Sequence, residues 1–201
     1  MNRKNDIEPR LVFPPWKDKL SQDVLYSKDF LKIFFFFTIF TPCPELSGRG
    51  KVLESYGWSN PWEEPYKLDE QLKTAADSLG LFTAKKYEDM ENALNNAGLK
   101  KTLFSEIVND KICTYTGSDK YKKEHDFIHF FFHIRNSLAH GRFNVIKYNG
   151  EEIFLFEDIG SRKDKKTKEY PLSARMILKK STLLKWITII EGGEKPYKKE
   201  V

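Results

Sequence analysis

The chain has 201 residues, 40% hydrophobic and 14% aromatic with sixteen phenylalanines, which supplies enough apolar material for one well-packed domain. Charged residues at 31% and a mean hydropathy of −0.57 argue for a soluble protein rather than a membrane one. A net charge of +5 suits a polyanionic partner without demanding one. Cys43 and Cys113 have the spacing of neither a zinc site nor a disulfide framework, so a reducing cytoplasm is expected.

From the N-terminus, Met1 to Asp6 carry charge with no apolar run behind them, so no signal peptide is expected. Residues 1 to 20 read as irregular, because Pro9, Pro14 and Pro15 interrupt any period, with Trp16 as an anchor. A first helix is expected from Ser21 to Phe40. Its apolar part, FLKIFFFFTIF, is roughly half the 20 residues a membrane span needs, and Lys28, Asp29, Lys32, Pro42 and Pro44 bound it. A buried helix is therefore expected, not a span. Thr41 to Pro65 is a long connection rich in Pro and Gly, whose Tyr56, Trp58 and Trp62 suggest that it packs down. Residues 1–65 thus read as an irregular extension with one apolar helix packed on the core. A helical domain over 66–193 and a polar tail over 194–201 follow.

Helical patterning resumes at Leu68, with one short helix ending near Gly80 and a second over Tyr87 to Asn96 closed by Gly98. A third is expected from Thr102 to Thr114, then a long one from Asp119 to Ala139. In the long one Phe127, Phe130, Phe131, Ile134 and Leu138 fall at i, i+3, i+4, i+7 and i+11, one apolar stripe. After Gly141 the period becomes two: Phe143–Tyr148 and Ile153–Phe156 flank Asn149-Gly150, a tight hairpin signal. A charged loop, Ser161 to Glu169, leads to a last helix from Arg175 or Lys180 to Glu191, stopped by Gly192-Gly193. The expected fold is mainly α, a helical bundle with a small β-hairpin inserted between the long helix and the last one.

The four histidines of the chain, His125, His129, His133 and His140, lie with Asn136 on the long helix roughly opposite its aromatic stripe, and Arg135 lies on a flank. The string HIRNSLAHGRF, with Arg135-Asn136-x-x-x-His140, resembles the Arg-x4-6-His motif of HEPN domains, in which a polar residue follows the Arg. Similar RNSLAHG strings, with a short hairpin after them, occur in plasmid- and phage-defence-associated HEPN proteins. In architecture the resemblance covers roughly residues 68 to 191; in specific residues it covers 130 to 143. It implies a HEPN-like helical bundle and a homodimer that joins two motifs across a two-fold axis. It also implies metal-independent endoribonuclease activity as a toxin or phage-defence effector, with no cofactor and with an antitoxin or defence-system partner. HEPN toxins silenced by a nucleotidyltransferase extend the motif to His-x-Tyr; here Gly141 and Arg142 follow His140, so that regulation is not implied.

The residue types fit the chemistry. RNA carries its own nucleophile, the 2′-OH, so cleavage needs a proton acceptor, a proton donor and a cation for the phosphorane. His140 suits either proton role, and Arg135 suits the non-bridging oxygens. Asn136 would orient His140 or the phosphate; His133, one turn earlier, would assist or sit in a dimer interface. Arg142, Arg162, Lys163, Lys165 and Lys166 are candidates for the RNA backbone, although Asp164 and Glu169 make a merely solvated loop an equal reading.

Other readings stand beside this one. Arg135 and His140 could simply cap or pair at a helix end. His125, His129 and His133, at i, i+4 and i+8, could bind a metal, but no Glu stands between them in the His-Glu-x-x-His sense. The same face could also serve a non-catalytic dimerisation, nucleotide-binding or RNA-binding module with an immunity or regulatory role. Tyr56, Trp58, Trp62 and Tyr66 could stack on bases, with core packing as their more common fate.

Overall fold

The computed structural model describes residues 22–42, 52–100, 109–117, 125–160, 168 and 170–195. Its elements run α1 (Gln22–Leu25), α2 (Lys28–Phe35, prolonged by a π turn over Phe36–Phe40), α3 (Leu68–Ala75), β1 (Leu79–Ala84), α4 (Met90–Ala97) and β2 (Asp110–Tyr115). Then follow α5 (Asp126–Ala139), β3 (Phe143–Tyr148), β4 (Glu151–Ile159), β5 (Leu172–Lys179) and α6 (Lys180–Gly192).

Five strands form one mixed sheet in the order β1-β2-β5-β4-β3. β1 and β2 are parallel; every other neighbouring pair is antiparallel. The expected mainly helical bundle is therefore wrong: the fold is α/β, and the hairpin β3–β4 is one edge of a sheet rather than an insert between helices. Three segments account for the difference. The helix expected to end near Gly80 ends at Ala75, and the chain enters β1. Of the helix expected over 102–114, residues 110–115 are strand β2 and 101–108 lie outside the described residues. Arg175 lies within β5, so the last helix begins at Lys180.

Each face of the sheet has its own core. Phe154 and Phe156 of β4, Ala174, Met176 and Leu178 of β5, Ile112 of β2 and Phe143 of β3 face α2, α5 and α6. The alternate residues Ile153, Leu155, Ile177 and Cys113 face α4 through its Met90, Ala93, Leu94 and Ala97. α4 is also the crossover that a parallel neighbour such as β2 requires.

Local signals set the element ends. Ser27 caps α2 by accepting from the Phe30 N–H at 3.1 Å, and Asn149 and Gly150 take φ of 49° and 84°, as a two-residue hairpin turn needs. α6 has no cap of its own. Asp110, from the start of β2, supplies it: its carboxylate accepts from the Lys179 N–H and the Thr182 hydroxyl, both at 2.6 Å. The connection expected to pack down does so at Trp58, which is fully buried and donates to the Ile190 carbonyl at 2.9 Å. Among the described residues no helix is long and apolar enough to cross a membrane.

Candidate functional site

α5 ends on a Schellman turn. Gly141, at φ 65°, lets its own N–H donate to the Leu138 carbonyl (3.1 Å) and the Arg142 N–H reach the Ser137 carbonyl (2.7 Å). The glycine expected to end the helix thus does so, leaving His140 as the exposed C-cap residue. The chain is then tied to the sheet at once: the Glu157 N–H donates to the Arg142 carbonyl at 2.9 Å, and Phe143 pairs with Phe156. The last turn of α5 therefore stands at the end of the sheet where β4 finishes and β5 begins.

At that end Asp158 continues the inward row of Phe154 and Phe156 with a carboxylate. It is 3% exposed, so its charge demands partners. Oδ2 is 2.8 Å from His133 Nδ1 and accepts from Asn136 Nδ2 at 3.1 Å, while Oδ1 accepts from the Ile159 N–H at 2.9 Å. An ionised carboxylate calls for a proton on His133 Nδ1, which leaves Nε2 as that ring's basic nitrogen when neutral. With its amide N–H held by Asp158, Asn136 turns its carbonyl oxygen outward and accepts from Arg135 Nη1 at 3.3 Å. A chain of side chains, His133–Asp158–Asn136–Arg135, thus runs from the buried sheet to a half-buried guanidinium.

Sequence reasoning placed Arg135, Asn136 and His140 together, and they do share the last turns of α5. No hydrogen bond or ion pair among the described residues joins Arg135 to His140 or Asn136 to the His140 ring, so Asn136 orients Arg135 instead. His133 and His129 are buried, at 4% and 8% exposure, and do not form the open polar stripe expected opposite the phenylalanines. α5 is wedged between β4 and the α6 side of the core, so far more than its aromatic stripe is covered. That burial leaves His133 little surface to offer a partner chain. Asp158 was missed. Its only sequence signal was a pair of acids, Glu157-Asp158, at the end of an otherwise apolar strand.

The remaining histidine, His125, caps α5 by accepting from the Phe127 N–H at 3.3 Å and stacks on Trp62 with centroids 3.8 Å apart. Burial is the main cause that lowers its pKa below the ordinary histidine value. Among the described residues no group of three or more His, Cys, Asp or Glu side chains is placed to hold a metal ion. Arg142 is half-buried beside the site, whereas Arg162, Lys163, Lys165 and Lys166 lie outside the described residues. Tyr56 is bound too: its hydroxyl donates to the Phe40 carbonyl at 2.6 Å.

On the opposite face of β4, Glu157 forms a buried pair with Arg175 at 2.8 Å, and Arg175 also donates to the Leu99 carbonyl at 2.9 Å. This pair lies on the α4 side of the sheet and fastens the end of that helix. Comparison with family models, with curated proteins and with solved structures found no match to this chain.

Proposed function

We propose that this protein is an endoribonuclease that cleaves RNA by attack of the 2′-OH on the adjacent phosphate, a reaction in which no metal ion is required. The 2′-oxygen forms a bond to phosphorus as the bond to the 5′-oxygen breaks. A base removes the 2′ proton and an acid returns a proton to the leaving oxygen. Arg135 would bear on the non-bridging oxygens, and the exposed His140 would take one proton role. A second copy of the chain would bring the other His140, making a composite site in a homodimer. The observation that carries this reading is the anchoring of Arg135: a buried carboxylate holds Asn136, and Asn136 holds the guanidinium at the end of α5 near an exposed histidine. Preorganising a cation where phosphorane charge develops is an efficient way to use it. The support is the motif's own chemistry, since the described residues form an α/β fold and not the helical bundle of HEPN domains. In this reading the protein acts in the cytoplasm, as a toxin or phage-defence effector with an antitoxin or defence partner.

The test is RNA incubated in EDTA with wild type, Arg135→Ala and His140→Ala. Cleavage by wild type and its loss in both variants is expected; activity that survives both substitutions refutes the assignment.

One observation favours the non-catalytic alternative. Leu31, Phe35 and Ile39 follow one another at four-residue intervals along α2 and its π turn, and with Phe40 they are exposed by 38% to 53%. Such a row suits an interaction surface. A module of that kind would show no cleavage, and Phe35→Ser with Ile39→Ser would change its self-association in sedimentation.

A further inference from the structure

At the same end of the sheet stands an aromatic pair that the chemistry above does not use. Tyr87, which follows β1 and Lys85-Lys86, stacks on Tyr115, the last residue of β2, with centroids 3.7 Å apart and planes 19° from parallel. Both rings are clamped. A Cβ on Gly117 would lie 2.7 Å from the Tyr115 ring, and one on Gly160 would lie 3.0 Å from the Tyr87 hydroxyl, so main chain passes against each where only glycine fits easily. Ser173 hydrogen-bonds to the Tyr87 hydroxyl. Even so, Tyr87 remains 39% exposed. With one face on Tyr115 and its hydroxyl tethered, the ring's other face is the one on which a ligand would stack.

We propose that the outer face of Tyr87 is a stacking platform for a base of single-stranded RNA, at the sheet end that carries the Arg135–His140 end of α5 but on its α4 face, where Tyr115 packs; this rests on the ribonuclease reading and deepens it. Two placements support it. β5 alone separates β2 from β4, so the ends carrying Tyr115 and Asp158 are two strand spacings, about 10 Å, apart, with Tyr115 on the α4 face and Asp158 on the α5 face, and a strand of RNA would pass round the end of the sheet between them. The Asp158 carboxylate is also close enough to Tyr87 to be felt electrostatically, with burial as the larger influence on that phenol. A ring already stacked and tethered loses little freedom when a base lands on it, and such stacking tolerates any base. Lys85 and Lys86 are exposed just before the ring and suit the flanking phosphates. The acids that follow, Glu88 and Asp89, lead into the first turn of α4, where a helix start favours them.

The probe is a short fluorescent 2′-O-methyl oligoribonucleotide, which lacks the nucleophile, bound to the full chain and followed by anisotropy. Tyr87→Ala should weaken binding by about 5- to 150-fold, while Tyr87→Phe and Tyr87→Trp bind like wild type. If Tyr87→Ala fails to fold, Tyr87→Leu, which keeps apolar bulk against Tyr115, is judged by the same standard. Binding within about twofold of wild type in the folded variant overturns the platform, as does a wild type that does not bind. A wild type that binds through Tyr87 but cleaves no RNA leaves the platform standing and removes the ribonuclease reading. Cleavage that needs His140, with binding indifferent to Tyr87, does the reverse.

Discussion

The contact between His133 and Asp158 is the point at which the sheet holds the motif helix, and its strength is measurable. Both side chains are about 5% exposed or less and their polar atoms are 2.8 Å apart. Asp158→Ala strands three donors, the buried His133 Nδ1 and the part-buried Asn136 Nδ2 and Ile159 N–H. An unsatisfied buried donor costs about 1–3 kcal/mol, and Asn136 is only half-buried, so a loss of about 2–5 kcal/mol is expected. His133→Ala removes a ring from a packed site and should cost about 2–4 kcal/mol, chiefly through the cavity. If the hydrogen bond is charge-assisted, the double variant should fall short of the sum by a coupling of about 1.5–3 kcal/mol. Urea unfolding of the four proteins gives this number, provided the m-values agree. Additivity within about 0.5 kcal/mol would show that Asp158 and His133 are neighbours without interaction and would remove the anchor. Cleavage tests the next link. If Asp158 positions Arg135 through Asn136, Asp158→Ala lowers kcat by about tenfold with little change in KM. Adding Asn136→Ala should then lower it no further.

Two further outcomes follow from buried carboxylates elsewhere. Burial pushes the Asp110 carboxyl up to about 6 from 3.8, outweighing its hydrogen bonds from Thr182 and Lys179. A folded-state value above the unfolded one favours folding when the group is protonated. Its contribution is therefore full below pH 3.8 and lost as pH rises through about 6; at 1.36 kcal/mol per pH unit it amounts to about 3 kcal/mol. Asp110→Asn should flatten that part of the stability–pH curve, measured by urea midpoints on both sides of the window. For the Glu157–Arg175 pair, Glu157→Ala should cost about 3–5 kcal/mol by stranding a buried guanidinium, whereas Glu157→Leu with Arg175→Met should recover most of it. Thermal unfolding of the three forms decides, and equal losses would mean that the charge is not what matters.

How far the fold could be read depended on whether its signals were local. Gly98, Gly141 and Asn149-Gly150 each act on their own few residues, and the element ends they mark appear where they point. The strands of the sheet interior offered no such mark. β5 is LSARMILK, buried from Leu172 to Leu178 on both faces, so it lacks the alternation that betrays a half-exposed strand. Its apolar content and its Arg fit a helix equally well by periodicity. β2, DKICTY, has the same ambiguity: its register is set by β1 and β5, which lie far away in sequence. Only the hairpin strands, joined by their own turn, could be recognised, and the sheet was mistaken for an appendage.

The same division runs through the candidate site. Arg135, Asn136 and His140 belong to one stretch of helix, so their proximity follows from a helical period that the sequence displays. What each of them touches does not. Asn136 faces Asp158, twenty-two residues on, because β3 returns the chain beneath α5 and β4 then climbs back toward the end of the helix. That return sets the roles: it buries His133 against a carboxylate, turns Asn136 toward Arg135, and leaves His140 as the exposed histidine of α5. A histidine stripe that looked like a surface in the sequence is thus divided by the sheet into an inner pair, His129 and His133, and an outer end. The chemistry proposed for this protein depends on the residues at that outer end, and their placement depends on a strand that carries no motif.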